Sequence, residues 1–495
     1  MTHQQPKTLK KRADIALHDD FLRKAVRFTT DRLRGRKEES SGALGDWEEW
    51  RERGRQVRIH TVANLDYYLG EFTKNMETAG GHMHFAADAD EARKIVAEIA
   101  DSKNTKIFAK SKSMISEEVH LNHMLEEKGI KVVETDLGEW IVQLAHETPS
   151  HIIIPAIHKN KSQIQELFED EGHEKLAPET KVLAGFARRR MRETFEKADI
   201  GMTGCNFAIA ESGSVVMFSN EGNARMVSTL PKTQIIMMGM ERVLPTWVDL
   251  ELMANLLPRS ATGQKLTVYM SAVNGPRRAG ELDGPEEVHV VVLDNGRSKI
   301  LGDPEFQDVL NCIRCGACLN VCPVYRQVGG HAYGSVYPGP IGAVLTPLIA
   351  EDKKAWGELA YASSLCGACY VACPVKIPLH DMLVHLRRRH VEAGYSPVSE
   401  KIAFAGFGAA AKSSGVFNSA ANAARWVQLH MIGDRSDQTD GPHGLEAAGP
   451  VAGWSNHRAL PSPQKESFHD LWKLLKDEPA ETPGGTDGKR DTHGA

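Results

Sequence analysis

Two short stretches of this chain hold residues that are able to bind iron. The first, "CIRCGACLNVCPVY", covers residues 312–325, and the second, "SSLCGACYVACPVKI", covers residues 363–377. Aligned on the shared "CGAC", they are two copies of one motif, except that Ser363 stands where the first copy has Cys312. Seven of the chain's eight cysteines lie in these stretches. Cysteines clustered in this way indicate metal binding rather than structural disulfides.

The spacing of the first copy is C-x2-C-x2-C-x3-C-P, the bacterial ferredoxin pattern for a [4Fe–4S] cluster. Such a cube needs one thiolate for each iron, and two intervening residues let one loop deliver three thiolates. Gly and Ala between the cysteines keep side-chain bulk away and let backbone N–H groups approach the sulfides. Structural zinc usually takes two separated pairs of ligands, so the longer run and its second copy favour iron–sulfur over zinc.

The fourth cysteine of such a run ligates the other cluster in two-cluster ferredoxins. This rule predicts two adjacent clusters with crossed ligation, an arrangement suited to carrying single electrons. Each predicted ligand set combines cysteines of both copies: Cys312, Cys315, Cys318 and Cys373 for cluster one, and Cys322, Cys366 and Cys369 for cluster two.

Cluster two has three cysteines, and its fourth position falls in register with Ser363. A [4Fe–4S] cluster with a fourth ligand other than cysteine fits this pattern, and so does a [3Fe–4S] cluster. An iron that keeps water, hydroxide or substrate and acts as a Lewis acid also fits. Cys205 or a partner subunit is a further source of the ligand, although a free cysteine beside an apolar strand often packs as a small hydrophobic residue. The sequence leaves these alternatives open.

The hydrophobic pattern indicates which elements position the cysteines. Residues 1–74 form a charged, amphipathic helical segment, and residues 75–302 alternate strands with helices, which is typical of an α/β domain with parallel strands. Residues 303–394 form a mainly α ferredoxin-type region. Residues 395–495 are expected to form a C-terminal helical segment and a disordered tail. Strands are predicted at "TKIFAKS", "IKVVETD", "HIIIPAIH", "TQIIMMG", "KLTVYMSAV" and "VHVVVLD", and a hairpin at "FAIAESGSVVMF".

Loops of the α/β segment carry weaker candidates. Residues 220–223 follow a strand and fit either a ligand loop or a plain turn. Residues 110–112, at a strand end that enters a helix, fit either an anion site or solvated lysines with a helix cap. Glu211 is a candidate acid, base or nucleophile for which the sequence offers no partner base.

Composition excludes several classes of protein. A formal net charge of −5 gives no global basic character, so no nucleic-acid partner is expected. No apolar run approaches the roughly 20 residues that cross a bilayer, so no integral membrane segment is expected. The first residues lack the apolar core of a signal peptide, which predicts a cytoplasmic location.

The sequence resembles a known family, the lactate utilisation protein B family, over nearly its whole length. The resemblance is carried by "KSKSMISEEVHLNHMLEEKGIKVVETDLGEWIVQLA", by "TGCNFAIAESGSVVMFSNEGNARM" and by the two cysteine motifs. It implies a Rossmann-like lactate-utilisation domain, similar to sugar-isomerase or CoA-transferase folds, followed by the ferredoxin-type region. A second motif with three cysteines belongs to the family pattern, which implies that Ser363 is no local defect.

The resemblance also implies a function. Members of the family transfer electrons in the oxidation of L-lactate to pyruvate, beside a cysteine-rich companion protein and a companion with a related α/β domain. Two alternatives remain open at this stage. One is a hydroxy-acid-binding enzyme that uses an open cluster iron or the α/β domain, and the other is a scaffold whose clusters only stabilise the fold.

Overall fold

The computed structural model describes residues 8–431 and 466–477. These residues fall into two compact units, one that ends at Tyr395 and one that begins at Ser396. Within the described ranges, no helix combines the length and the apolar character that crossing a bilayer requires.

Four helices open the first unit: α1 (Leu9–Leu17), α2 (Asp20–Gly42), α3 (Trp47–Ala63) and α4 (Leu65–Thr78). Side-chain caps fix three of their starts. Thr8 accepts from the amide of the third residue of α1 at 3.4 Å, Asp19 from the Leu22 amide at 2.8 Å and Asp46 from the Glu49 amide at 3.1 Å. The predicted apolar stripe of α3 is present. Its residue Val62 is buried in the same core as the cysteine region, so these helices form part of the support of that region.

The α/β part is built on two sheets. Ten strands make them up: β1 (His82–Ala86), β2 (Ile107–Lys110), β3 (Lys131–Glu134), β4 (Ile200–Gly204), β5 (Phe207–Ile209), β6 (Ser214–Ser219), β7 (Thr233–Gly239), β8 (Val243–Leu244), β9 (Tyr269–Val273) and β10 (Glu287–Leu293). Six are parallel in the order β1-β10-β7-β4-β2-β3, and four form a mixed sheet in the order β8-β5-β6-β9. Strands β7 and β10 lie inside the larger sheet with helices on both faces, which is why they are almost continuously apolar.

Nine helices accompany the sheets: α5 (Ala89–Ser102), α6 (Met114–Glu118), α7 (Leu121–Glu127), α8 (Leu137–Leu144), α9 (Lys161–Gly172), α10 (Thr180–Lys197), α11 (Asn223–Thr229), α12 (Trp247–Thr262) and α13 (Arg297–Leu301). Helix α12 packs against α2 and α3. The α/β part and the N-terminal helices therefore share one hydrophobic core with the cysteine region.

The cysteine region is mainly helical, as predicted. It contains α14 (Ala317–Val321), α15 (Tyr325–Val328), α16 (Gly339–Ile349), α17 (Lys353–Trp356), α18 (Ala368–Ala372) and α19 (Leu379–Glu392). The second unit contains α20 (Val398–Ala411), α21 (Ser414–Met431) and α22 (Phe468–Asp477). The predicted disordered end of the tail lies outside the described residues, whereas the helix α22 was not predicted.

The strand predicted at "HIIIPAIH" is wrong, because residues 151–158 form bends and turns. The ring nitrogen Nδ1 of His151 accepts from the amides of Ile153 at 3.0 Å and Ile154 at 3.2 Å. These bonds satisfy N–H groups that a strand would pair with a neighbour. Ile152 and Ile157 are buried against the cysteine region, so the apolar run marks a packed loop.

Strands β1 and β4, like the two-residue strand β8, have no counterpart in the predicted pattern. β4 is "IGMTG", and a side chain at Gly201 would place its Cβ 2.0 Å from the Val227 carbonyl oxygen. β1 carries His82 and His84, which contact His289 of β10. β1 has only two alternations, of His82 and His84 with Met83 and Phe85, and β4 contains two glycines, which are depleted in strands. Both are therefore weak strand signals in the sequence. The predicted hairpin is confirmed, since β5 and β6 are antiparallel and Gly213 between them has φ +64°.

Candidate functional site

The two cysteine motifs have the same backbone conformation. Arg314 and Leu365, which precede the shared "CGAC", have φ of +59° and +55°, and Gly316 and Gly367 have φ of +73° and +75°. Each glycine is followed by a five-residue helix, α14 in the first copy and α18 in the second. The repeat read from the sequence is therefore also a repeat in three dimensions.

Ser363 occupies the position that corresponds to Cys312. The sulfur of Cys312 accepts a hydrogen bond from the amide of Arg314 at 3.4 Å. The hydroxyl oxygen of Ser363 accepts one from the amide of Leu365 at 3.1 Å. The same local contact in both copies supports the alignment on which the ligand sets depend.

One cavity is bounded by four cysteines that come from both motifs. Its walls include apolar side chains such as Ile152, and its cysteines are Cys312, Cys315, Cys318 and Cys373. Burial raises the pKa of Cys315 to about 12, and the charge of Cys373 acts in the same direction. The seven motif cysteines form no disulfide. Four free thiols around one apolar space suit a [4Fe–4S] cluster, whose irons lower thiol pKa values by direct bonding.

A second group of cysteines lies nearer the surface. Burial raises the pKa of Cys369 to about 12, and the charge of Cys322 is the next cause. These thiols from different motifs therefore lie close to each other. Cys322 and Cys369 are buried, whereas Cys366 is exposed. Burial is the largest cause that raises the pKa of Cys318, and the charge of Cys369 raises it further. The two groups of thiols are therefore adjacent.

Cys205 stands apart from the seven motif cysteines. It follows β4 and packs against the core beneath the sheet. Burial raises the pKa of its thiol to about 12, and the charged groups that act on it are Arg242 and Glu241. No motif cysteine is among these causes, so Cys205 is placed as a packed thiol beside the α/β part.

Two N-terminal cations hold the end of the second motif. Arg51 donates from Nε to the Cys373 carbonyl at 2.8 Å and from Nη2 to the Tyr370 carbonyl at 2.7 Å. Lys37 donates to the carbonyl of Ala372. These carbonyls close the C-terminal end of α18, where cations are favourable. Neither residue was predicted from the sequence. The feature that points to them is their position on amphipathic helices, whose apolar residues pack against the cysteine region.

A buried ion-pair network lies beside the first motif. Arg297 donates to both carboxylate oxygens of Glu118, at 2.9 and 2.8 Å, and from Nε to Glu241 at 2.8 Å. Burial acts to raise the pKa of Glu241. The charges of the neighbouring arginines, of which Arg297 has the largest effect, outweigh burial and lower the pKa to about 2. Glu241 is therefore a buried anion that depends on its arginines.

More arginines than carboxylates surround this network. Arg58, Arg242 and Arg314 join Arg297 there, against the carboxylates Glu118 and Glu241. Arg242 donates to the Cys312 carbonyl at 3.3 Å, so the positive excess lies next to the first motif. An iron–sulfur cluster with four thiolates carries negative charge, and this excess is of the sign that compensates it.

Two of the three weaker candidates, the loops at residues 110–112 and 220–223, meet at one cavity of about 250 Å³ at the sheet edge. Ser111, Lys112, Asn220 and Glu221 line it. Lys110 does not, because it is buried in ion pairs with Glu117 and Glu134. Glu211 lies elsewhere and accepts from the amide of Trp247 at 2.7 Å, at the start of α12.

Comparison with known proteins identifies the family. Residues 69–293 match the LUD domain, residues 308–377 the 4Fe-4S dicluster domain, and residues 389–476 the C-terminal domain of lactate utilisation protein B. A lactate utilization protein B from Macrococcus caseolyticus is 51% identical over 467 residues, which are 94% of this chain and 96% of that protein. The chain belongs to the lactate utilisation protein B family.

Another relative agrees with this membership. The lactate utilization protein B of Bacillus subtilis is 49% identical over 467 residues, 93% of this chain and 95% of that protein. A crystal structure of a DUF162 family protein from Deinococcus radiodurans has a TM-score of 0.27 and 14% identity, over 46% of this chain and 98% of that one. The predicted family and fold class are confirmed, and the dicluster domain makes this family member an iron–sulfur protein.

Proposed function

We propose that this chain is the iron–sulfur electron-transfer subunit in the oxidation of L-lactate to pyruvate. The observation that carries the proposal is the pair of adjacent thiol groups, each built from both motifs. The names of the relatives, lactate utilization protein B, supply the metabolic context. The family resemblance adds two companions, a cysteine-rich protein and a protein with a related α/β domain.

The proposal assigns two [4Fe–4S] clusters. Cluster one takes the four cysteines that line one cavity, and cluster two takes three, with its fourth position facing Ser363. When bound, the clusters supply reversible one-electron chemistry. The ligands are Cys312, Cys315, Cys318 and Cys373 for cluster one, and Cys322, Cys366 and Cys369 for cluster two.

The charged residues around the two proposed cluster sites differ. Lys37, Arg51, Arg242 and Arg314 lie against the backbone or thiols of cluster one's ligands. Positive charge favours the reduced, more negative state of a cluster. Burial raises the pKa of Cys315 and of Cys373, and the charge of Lys37 acts to lower it. The charges that act on Cys322 and Cys369 are instead those of other cysteines. We therefore expect cluster one to have the higher reduction potential of the two.

The alternative function is a hydroxy-acid-oxidising enzyme in its own right. One experiment distinguishes it from the electron relay. The purified chain, alone and with its two companions, is mixed anaerobically with L-lactate and an artificial electron acceptor, and pyruvate is measured. The relay predicts pyruvate only when the companions are present, and loss of that pyruvate when this chain is left out. Pyruvate formed by this chain alone would favour the alternative.

Replacing Ser363 by cysteine is expected to stabilise cluster two. The cluster has three thiolates, and the iron that faces Ser363 has a weaker and more exchangeable ligand than thiolate. Oxidised native protein is expected to lose that iron first and to develop the EPR signal of a [3Fe–4S] species. Ser363→Cys should suppress this signal and slow the loss of iron.

The neighbouring substitution Ser364→Cys is a matched control for this prediction. Ser364 is exposed and lies one residue out of register, so a cysteine there adds a thiol without completing the motif. The register is wrong if Ser363→Cys leaves both the EPR signal and iron loss as in the native chain, or if Ser364→Cys has the same effect.

A further inference from the structure

A cavity of about 250 Å³ separates the edge of the parallel sheet from the first cysteine motif. Ser111 and Lys112 after β2, and Gly204 and Cys205 at the end of β4, form one side of it. Arg314, inside the first motif, forms another. In α/β proteins with parallel strands, ligands bind at this carboxyl edge of the sheet. The cavity therefore has both the position and the concave shape of a ligand site.

The cavity adjoins the space between the four cysteines. Ile152 and Arg314 line both of them. Two residues thus form a common wall between the cavity and the proposed site of cluster one. A small molecule bound here lies next to a redox centre.

Positive charge is concentrated at this wall. The side chains of Arg242 and Arg314 are 8% and 9% exposed, and both line the cavity. The carboxylate that they share, Glu241, lies 3.9 Å from Arg242 Nε and 3.5 Å from Arg314 Nη2, while its other oxygen accepts from Arg297 at 2.8 Å. The Nε and Nη1 groups of Arg314 have no hydrogen-bond partner. Two buried guanidinium groups therefore share one distant carboxylate oxygen.

The rest of the wall offers neutral hydrogen-bonding groups and occupied acids. Thr203, Asn206 and Gln264 line it. Asp136 also lines it, and one of its oxygens accepts from the Lys112 amide and from the Asn223 side chain, both at 2.7 Å. Glu221 lines it too, and its carboxylate accepts from the Leu137 amide at 2.9 Å. The cationic end and the neutral polar groups match a small anion that carries a further oxygen. The volume lies below the roughly 300 Å³ at which pockets for larger ligands begin.

We propose that this cavity binds a small 2-hydroxy or 2-oxo carboxylate, with the carboxylate held by Arg242 and Arg314. Arginine suits this task because its planar fork pairs with both carboxylate oxygens. The position of the site follows from the cavity, and the substrate class rests on the proposed function. A competing role for the two arginines is compensation of cluster charge alone, and the experiment separates the two roles.

Binding is measured by anaerobic isothermal titration calorimetry on the full chain after iron and sulfide reconstitution. The probes are sodium L-lactate and sodium pyruvate. Propionate, which lacks the oxygen on carbon 2, is the matched probe. Arg242→Gln removes one charge and keeps a neutral hydrogen-bond donor on the side chain. It is expected to raise the Kd about tenfold or more, since a charge-assisted contact is lost. Arg225→Gln, at an exposed arginine of α11, is expected to leave the Kd unchanged.

Arg242→Lys keeps the charge but loses the fork, so an intermediate Kd is expected. Iron content is measured for every variant. If Arg242→Gln fails to fold or loses iron, Arg242→Lys decides: a raised Kd supports the site, and an unchanged Kd overturns it. No binding of either probe by the native chain also overturns it, as does equal binding by all variants, which leaves the arginines to the cluster alone.

The same measurements separate this inference from the proposed function. If the native chain binds pyruvate or lactate but lactate oxidation proceeds without it, the proposed function fails and the site stands. If oxidation requires the chain but no probe binds, the function stands and the site fails.

Discussion

Replacement of Cys373 by alanine is expected to remove cluster one, although Cys373 belongs to the motif that supplies most of cluster two. The reason is the crossed arrangement, in which Cys373 lines the same cavity as Cys312, Cys315 and Cys318. Cluster two keeps its three cysteines and is expected to remain. Iron and sulfide should fall by about half, to one four-iron cluster, and the surviving EPR signal should be that of cluster two.

Three further variants make this result specific. Cys312→Ala is expected to reproduce the loss of cluster one, and Cys322→Ala is expected to remove cluster two instead. Cys205→Ala is the matched control, because Cys205 does not line the cavity between the four cysteines of cluster one and no motif cysteine acts on its thiol, and it should keep the full iron content. Crossed ligation is contradicted if Cys373→Ala resembles Cys322→Ala rather than Cys312→Ala.

Removal of Arg297 is expected to have the largest effect on stability. Its side chain is fully buried between Glu118 and Glu241, whose side chains are 3% and 1% exposed. Arg297→Met leaves both carboxylates buried without their main partner, and breaking a buried pair in this way costs about 3–5 kcal/mol. The free energy of unfolding, measured by anaerobic urea denaturation and circular dichroism, should fall by that amount.

The exposed Arg188 of α10 provides the control. Arg188→Met makes the same chemical change without burial, and its effect is expected to stay within about 0.5 kcal/mol. An equally small effect of Arg297→Met would mean that the buried network does not stabilise the fold.

The same network predicts a dependence of stability on pH. The pKa of Glu241 is about 2 in the folded protein, below its ordinary value of 4.5. A lowered folded pKa gives stability that is complete above the unfolded value and is lost as the pH falls towards 2. Arg297→Met removes the largest of the charges that lower this pKa. Acid unfolding of the variant, followed by circular dichroism, should therefore begin at a higher pH than that of the native chain.

The motifs were predictable from the sequence because their geometry is local. The ferredoxin spacing places three thiolates on one loop, and the repeated "CGAC" fixes the alignment of Ser363 with Cys312. Strands such as β7 and β10 were predictable because burial on both faces makes them continuously apolar. The hairpin at Gly213 followed from a glycine between two such runs.

The cavity was not predictable, because residues distant in the sequence form it. Lys112, Gly204, Arg242 and Arg314 meet only through the order of the parallel strands and the packing of the cysteine region on their edge. The loop of Lys112 was a candidate because it follows a strand and enters a helix, but Gly204, Arg242 and Arg314 stand in no sequence motif for a carboxylate ligand. The packed loop at residues 151–158 escaped prediction for a related reason, since its apolar run is buried by tertiary contacts and its amides are satisfied by His151.

The most direct test of electron transfer is anaerobic EPR spectroscopy of the full chain mixed with its two companions and L-lactate. We expect the signals of reduced clusters to appear when L-lactate is added and to be absent with D-lactate or without the companions. An acceptor is expected to remove them as pyruvate accumulates. If pyruvate accumulates at the same rate while the clusters stay oxidised throughout, or in a chain whose seven motif cysteines have been replaced, this chain does not carry the electrons.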